Sequence, residues 1–372
     1  MSSQPFIKYL VSSPYGDIHV DKERWDFPLE GDELKTPYKI YFHSIKDFLL
    51  RDDYKLLISS IVKKLGKEIF QKEIQEILIR SEKHGAFYHP ASIELVLLDN
   101  RVKFGLNVAI SDVGKYWIKK EYYTLKKLHN KFNLPYLPKV YFFDEFNSMS
   151  FLLEDWFEGY HEFHISKDKI GNHKLKLWDF DKGYKYLSPE ESYEIYKQAS
   201  KILTSYYDLE DFSQILAWHH AAGDFVGKIE GKNIDVRLTT ARQYGPFIGF
   251  VDSSFLNPVL ALLYFFLDLT LKMRLDKLDG TGEVTWADDI CVEATIAGFF
   301  EAMGSKSNFK SCLNLDNVEE FLRLIQSFTE GELKNIISPL LEQYKNTSNH
   351  LLIRMNLDRH IEKLFTTLQN FL

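Results

Sequence analysis

Apolar positions along the first part of the chain follow a helical period. They fall at Leu57, Ile58, Ile61, Val62, Leu65 and Ile69, and the stripe continues through Ile74, Ile77 and Leu78. This spacing predicts one or two helices within residues 45–82. The preceding 44 residues contain four prolines, which predicts an irregular segment because proline is excluded from helix interiors.

The period then changes from helical to alternating. Val102, Phe104, Leu106, Val108 and Ile110 alternate with other residues, and Asp99-Asn100 supplies turn chemistry, so the pattern predicts a β-hairpin. A helical stripe of Ile118, Tyr122, Leu125 and Leu128 follows and carries Glu121. Two runs rich in β-preferring residues, LPKVYFFDE and MSFLLEDWF, predict a second hairpin. The expected order is hairpin, helix, hairpin.

A different character begins beyond Gly159. Ser188, Pro189 and Glu191 form a capping-box sequence that predicts a helix start. FVGKI and IDVRLTTA predict another hairpin, GPFIGFVDSS a short strand that ends in Asp252, and helices dominate from there to Leu372. The sequence thus predicts an α+β protein with an N-terminal extension with helices (1–83), a small β-rich lobe (84–158) and a mostly helical lobe (159–372).

Composition removes several classes of function. The chain has 46 basic and 53 acidic residues and a net charge of −7, without the basic footprint of a nucleic-acid-binding protein. Two cysteines are too few for a disulfide framework and lack zinc-site spacing. The most apolar run, residues 255–273, is interrupted by Pro258 and Asp268, which predicts a buried helix. With no signal-peptide pattern either, we expect a cytoplasmic protein that neither binds nucleic acid nor spans a membrane.

The most chemically rich stretch is AWHHAAGDF, residues 217–225. Together with the hairpin–helix–hairpin order and the run MSFLLEDWFEGY, it resembles the protein-kinase-like fold, in particular the aminoglycoside and choline phosphotransferase branch. The resemblance covers about residues 84–330 and implies a two-lobed architecture, ATP and Mg²⁺ as cofactors, and phosphoryl transfer to a small molecule. It implies a catalytic role for Asp224 with His220, and Ile229 stands where that branch has an asparagine.

The resemblance also assigns residues around the nucleotide. In NVAIS, Ser111 stands where the family has its phosphate-binding lysine, and Glu121 corresponds to the helix glutamate that orients that lysine. Asp252 corresponds to the magnesium-binding aspartate, with Asp235 as a competing candidate. Lys228, Arg237 and Arg242 would suit an anionic ligand. If the site is catalytic, Asp224 should lie within about 10 Å of Asp252 or Asp235, a span that magnesium and a phosphate can bridge.

Two alternatives remain open at this point. A protein that keeps this fold could bind a ligand as a pseudokinase-like regulatory module without transferring phosphate. Alternatively, His161, His164, His219 and His220 with Glu162 or Asp224 have the residue types of a transition-metal site. This second alternative requires the four histidines to converge.

Overall fold

A computed structural model of the chain describes residues 5–13, 16–82, 85, 87–179, 183–218, 223–246 and 257–371. The chain divides into two compact units, residues 1–158 and 159–372. The first unit is rich in sheet and the second is richer in helix, so the predicted α+β class is confirmed.

One seven-stranded sheet and two α-helices form most of the described part of the first unit. Its strands run in the spatial order β2-β1-β3-β4-β5-β7-β6. They are β1 (Phe6–Val11), β2 (Ile18–His19), β3 (Ile74–Ser81), β4 (His89–Leu97), β5 (Arg101–Ala109), β6 (Val140–Phe146) and β7 (Met149–Asp155); the helices are α1 (Tyr38–Leu65) and α2 (Asp112–Phe132).

The two predicted hairpins and the helix between them are confirmed. β4 and β5 pair antiparallel around the Asp99-Asn100 turn, and the side chains of Val102, Phe104 and Leu106 are buried. β6 and β7 are joined at Asn147 and Ser148, which both have positive φ, the conformation that a tight hairpin turn requires. α2 lies between the two hairpins along the chain, as the stripe of apolar residues predicts.

The prediction for the first 82 residues was partly wrong. β1 occupies a segment expected to be irregular, and residues 74–81, expected to be helical, form β3. β1 pairs parallel with β3, and α1 connects the two strands, as parallel pairing requires a crossover. α1 itself is interrupted at Arg51–Tyr54, where the backbone leaves helical values. The strands within residues 6–81 therefore belong to the same sheet as those within residues 89–155.

A five-stranded sheet, two pairs of short strands and a set of helices make up the described part of the second unit. Its five-stranded sheet has the order β10-β9-β8-β12-β13, and β11 pairs with β14 and β15 with β16. The strands are β8 (His161–Lys167), β9 (His173–Asp179), β10 (Gly183–Tyr186), β11 (Ser213–Leu216), β12 (Phe225–Glu230), β13 (Asn233–Leu238), β14 (Gln243–Pro246), β15 (Leu275–Lys277) and β16 (Val284–Trp286). The α-helices are α3 (Pro189–Ser205), α4 (Pro258–Lys272), α5 (Ile290–Gly304), α6 (Phe309–Leu313), α7 (Val318–Gln326), α8 (Glu330–Ile337) and α9 (Asn349–Gln369).

Helix α3 begins where the capping-box sequence predicts. The Glu191 amide donates to Ser188 Oγ at 3.2 Å, and the Ser188 amide donates to Glu191 Oε2 at 3.0 Å. The helix packs closely on α5: a Cβ at Gly298 would lie 2.1 Å from the carbonyl oxygen of Lys197. Glycine is therefore required at this crossing.

The apolar run of residues 255–273 supplies α4, whose side chains from Leu262 to Leu271 are mostly buried. Asn257 caps the helix by accepting a hydrogen bond from the Val259 amide at 2.8 Å. Among the residues that the structure describes, no helix combines the length and the apolarity needed to cross a membrane.

Candidate functional site

The two faces of β8 differ in chemistry. Phe163 and Ile165 are buried on one face, and His164 and Ser166 project from the other because successive strand residues alternate. His161 and His164 are three positions apart and so point to opposite faces. His161 and His164 therefore do not converge through strand β8, and His219 and His220 lie outside the described residues.

The described part of the chain also contains no complete set of metal ligands. No group of three His, Cys, Asp or Glu side chains there could hold a metal ion. His161 instead approaches Asp179, at 3.6 Å between Nε2 and Oδ2. The transition-metal hypothesis also involves His219 and His220, which lie outside the described residues, so it stays a prediction.

His164 lies between two carboxylates. Its Nδ1 is 3.4 Å from Asp276 Oδ1, and its Nε2 is 3.4 Å from Glu162 Oε2. Burial works to lower the pKa of His164, but the hydrogen bonds and charges of Asp276 and Glu162 outweigh it and raise the pKa to about 9. His164 is therefore an imidazolium at neutral pH. At 3.4 Å its bonds are long, so charge attraction contributes more than directional hydrogen bonding.

Asp276, His164 and Glu162 form a chain of charged contacts. Backbone amides hold the buried carboxylate of this contact chain, that of Asp276. Asp276 lies on β15 with a side chain that is 5% exposed. Its Oδ2 accepts from the Ile165 amide at 2.8 Å, and its Oδ1 accepts from the Lys277 amide at 2.7 Å. Gly280 covers the imidazole so closely that a Cβ there would lie 2.8 Å from the ring. Asp276 and Gly280 thus hold His164 in one orientation.

The outer carboxylate belongs to Glu162, whose side chain is 34% exposed. Glu162 lies opposite Val226 in the β8–β12 pairing. Its Oε1 also lies against Gly223: a Cβ built on that glycine, which has φ +68°, would be 2.7 Å away. The half-exposed end of the Asp276–His164–Glu162 chain consequently touches the residue that precedes Asp224.

Asp224 is buried, with 1% of its surface exposed. Its carboxylate pairs with Arg242 at 3.1 Å, and the Arg242 side chain is only 13% exposed. Its carbonyl accepts from the Thr239 amide at 2.7 Å. Asp224 is thus neither a helix cap nor half of a surface ion pair, and its carboxylate takes part in an interior network.

That network extends to the C-terminal end of α4. Burial lowers the pKa of the Lys272 ammonium, although the carboxylates of Asp268 and Asp224 oppose the change. The ammonium lies 4.6 Å from the centre of the Trp218 ring, a cation–π distance. Asp268, whose pKa burial raises, accepts from Tyr344 Oη at 2.7 Å. These contacts hold Trp218 and Asp224, which flank the stretch HHAAG.

Asp235 and Lys228 lie opposite each other on β13 and β12. Asp235 accepts from Tyr160 Oη at 2.6 Å and from Arg237 Nη1 at 2.5 Å, and Lys228 pairs with Glu230 at 2.8 Å. The four-residue offset in register separates the backbones of Asp235 and Asp224 by about 13 Å along the strands, and the separation of their carboxylates stays a prediction. Asp252, the other candidate, lies outside the described residues, so its pairing with Asp224 stays a prediction.

Two predicted nucleotide-binding residues lie in the first unit. Ser111 is the N-cap of α2, and its Oγ accepts from the Gly114 amide at 3.1 Å. Glu121 is fully buried and accepts a hydrogen bond from Tyr88 Oη. Both side chains thus have structural contacts, and their proposed roles in nucleotide binding stay predictions.

Sequence reasoning missed Asp276 altogether. It approaches His164 in space but lies 112 positions away along the chain. Glu162 was recognised only as a nearby carboxylate. The signal that could have singled it out is the alternation on β8, which places Glu162 and His164 on one face.

Comparisons with known proteins leave the family open. No protein family model matches the chain, and no curated protein matches it. Among solved structures, it is similar to a kinase domain, with a TM-score of 0.31 and 11% identity over 78% of this chain and 85% of the other. It is also similar to a protein from Haemophilus somnus 129PT described as a fructosamine-3-kinase, with a TM-score of 0.25 and 12% identity over 85% of this chain and 96% of the other. At these scores, neither similarity assigns a fold family or an activity.

Proposed function

We propose that the chain is an ATP-dependent phosphotransferase that acts on a hydroxyl or amine group of a small molecule. The observation that carries this proposal is the Asp276–His164–Glu162 chain, which ends in a half-exposed carboxylate against Gly223. A positioned carboxylate that takes a proton from the acceptor group is one of the requirements of phosphoryl transfer. The choice of ATP as donor rests on the resemblance of residues 84–330 to the phosphotransferase branch.

In the proposed step Glu162, not Asp224, is the proton acceptor. The acceptor oxygen or nitrogen forms a bond to the γ-phosphorus as its proton moves to the Glu162 carboxylate. The bond between that phosphorus and the bridging oxygen breaks, and ADP leaves with the electron pair. The His164 imidazolium favours the ionised form of Glu162 before the transfer, and Asp276 holds the imidazolium in place.

Asp252, the magnesium ligand that the resemblance implies, lies outside the described residues, and the other candidates have cationic partners. Asp224 and Asp235 are both paired with arginines, and no triad of ligands is present among the described residues. No step of the proposal is therefore routed through a metal ion. Phosphate charge would have to be neutralised by cationic side chains or by ions that enter with the nucleotide.

The first test is whether ATP binds. Addition of ATP with Mg²⁺ should raise the melting temperature, because a ligand that binds only the folded state stabilises it by mass action. ADP release should then appear when small hydroxyl and amine compounds are supplied. If millimolar ATP neither stabilises the protein nor is consumed with any of these acceptors, the proposal is wrong.

The second test concerns the role of Glu162. Glu162→Gln keeps the size of the side chain and should reduce the transfer rate by about 10²-fold or more without abolishing stabilisation by ATP. Glu230→Gln is the matched control, since Glu230 is an exposed glutamate of the same sheet that pairs with Lys228. Equal rates for wild type and Glu162→Gln would remove Glu162 from the mechanism.

A second candidate is a regulatory protein that binds a ligand without transfer. Two observations favour it: Ser111 caps α2 where the resemblance calls for a lysine, and the Asp224 carboxylate is buried against Arg242. This candidate predicts stabilisation by a nucleotide with no ADP release under any acceptor. The two candidates thus diverge in turnover, not in binding.

A further inference from the structure

Helix α2 repeats a seven-residue pattern on its exposed side. Residues 116–122 read YWIKKEY, residues 123–129 read YTLKKLH, and the next two residues are NK. Tyr116 and Tyr123 begin the two repeats and are 60% and 58% exposed. Each is followed three and four positions later by a pair of lysines.

The buried side of α2 fixes the direction in which this pattern points. Ile118, Leu125 and Leu128 are fully buried. At 100° per residue, the two tyrosines then lie along the middle of the opposite face. One row of lysines borders them on each side. We call this the tyrosine–lysine face; it consists of Tyr116, Lys119, Lys120, Tyr123, Lys126 and Lys127.

The charged residues of α2 are mostly basic, whereas the net charge of the whole protein is negative. α2 carries six lysines and two acidic residues, within a protein whose net charge is −7. Within α2 itself, Glu121 is buried, and Asp112 lies in the first turn, 3.4 Å from Lys115. The exposed side of α2 therefore carries lysines on both sides of a central row formed by the rings of Tyr116 and Tyr123.

Ring contacts hold part of the lysine rows in position. Lys120 Nζ lies 5.1 Å from the centre of the Trp117 ring, and Lys126 Nζ lies 5.1 Å from the centre of the Tyr122 ring. Lysine stems that lie along aromatic surface keep the ammonium groups in water while they lose fewer conformations on binding. The face is thus partly organised in advance for a charged partner.

We propose that the tyrosine–lysine face is the docking site of an acidic amphipathic α-helix from a partner protein. Its seven-residue repeat spans about 10.5 Å of helix axis, which is the repeat of a second helix with apolar residues in heptads. Glutamates or aspartates on both sides of that apolar stripe would meet the two lysine rows. A nucleic-acid strand fits this spacing less well, since its charges recur about every 3.4 Å along a duplex.

The probe is a fluorescent three-heptad helical peptide with apolar residues at a and d and glutamate at e and g. Its binding to the full chain is measured by fluorescence anisotropy at low and high salt. We expect saturable binding that weakens with salt, because charge complementarity contributes to it. The test variant reverses four lysines of the face: K119E, K120E, K126E and K127E. The matched control reverses four exposed lysines elsewhere in the first unit: K22E, K55E, K63E and K67E.

The test variant should bind the peptide about 10-fold or more weakly, and the control variant should bind it with little change beyond the effect of net charge. A peptide with lysine in place of glutamate should bind the test variant better than it binds wild type. Tyr116→Ala with Tyr123→Ala should weaken binding without altering its salt dependence. Melting curves establish that each variant is folded.

Several outcomes would overturn the proposal. One is no binding of the glutamate peptide; another is equal losses in the test and control variants. Equal binding of a scrambled peptide of the same composition would remove the role of the heptad repeat. Preferential binding of oligothymidylate or of phosphatidylserine vesicles, lost in the test variant, would reassign the face to a polyanion or a lipid surface.

Discussion

His164→Gln tests whether the imidazolium between Asp276 and Glu162 stabilises the fold. The pKa of His164 is about 9 in the folded protein, against a value of 6.5 for an unperturbed histidine. Because the folded value is the higher one, the stabilisation is fully present below pH 6.5 and is lost as the pH rises through 9. The difference of about 2.5 corresponds to about 3 kcal/mol of unfolding free energy.

The measurement is urea unfolding between pH 6 and 10, followed by intrinsic fluorescence and circular dichroism. Relative to His164→Gln, the wild-type protein should lose stability by about 1.4 kcal/mol for each pH unit between 6.5 and 9. His161→Gln is the control, since it removes a histidine from the same strand but from the opposite face. It should retain the wild-type decline.

Parallel pH curves for wild type and His164→Gln would refute this reasoning. Such a result would mean that the two carboxylates do not hold a proton on His164. It would also remove the charge that we propose favours ionised Glu162. The transfer assay on Glu162→Gln would still be informative, because it depends on the carboxylate itself.

Three further predictions concern the second unit. His360 is fully buried, and its pKa is lowered to about 3, by burial first and by Arg274 second. The neutral imidazole therefore accounts for up to about 5 kcal/mol of unfolding free energy that is present above pH 6.5 and is lost as the pH falls towards 3. Acid unfolding of His360→Gln should lack this pH-dependent loss. Arg242→Gln should destabilise the protein by about 3 kcal/mol in urea because it leaves the Asp224 carboxylate buried without this cation, and adding Asp224→Asn should restore part of the loss. Gly298→Ala should cost several kcal/mol and lower the melting temperature because its Cβ would strike the backbone of α3, whereas Gly304→Ala on the same helix, whose Cβ would make an ordinary 3.7 Å contact, should have a small effect.

Local sequence signals predicted the parts of the fold that local interactions determine. The β4–β5 hairpin follows from strict alternation and a turn sequence, and the start of α3 follows from a capping box whose two hydrogen bonds are both present. The prediction of a helix at the position of strand β3 was wrong because Ile74, Ile77 and Leu78 also fit a helical period. Its true pattern includes a register shift between Ile74 and Glu76, which breaks the two-residue alternation near its start.

The candidate site was harder to predict because its members come from distant parts of the chain. Asp276 approaches His164 only after β15 docks beside β8, and no spacing rule connects positions 112 residues apart. Asp224 was recognised as a special residue from Gly-Asp and its apolar surroundings. Its partner Arg242 was recognised only as a cation suited to an anionic ligand, since an ion pair across a hairpin leaves no distinctive pattern.

The parallel pairing of β1 with β3 has a consequence for self-association. β1 covers β3 along Glu76–Ser81, where Ile77 and Ile79 are fully buried, and the two-residue β2 covers only the far end of β1. A chain shortened by its first twenty residues would lose both strands. It would expose the amide and carbonyl groups of β3 beside an apolar surface, a template on which strands of other molecules can add. Such a truncated protein should aggregate in proportion to its concentration, and the six residues of β1 protect the protein against this intermolecular pairing.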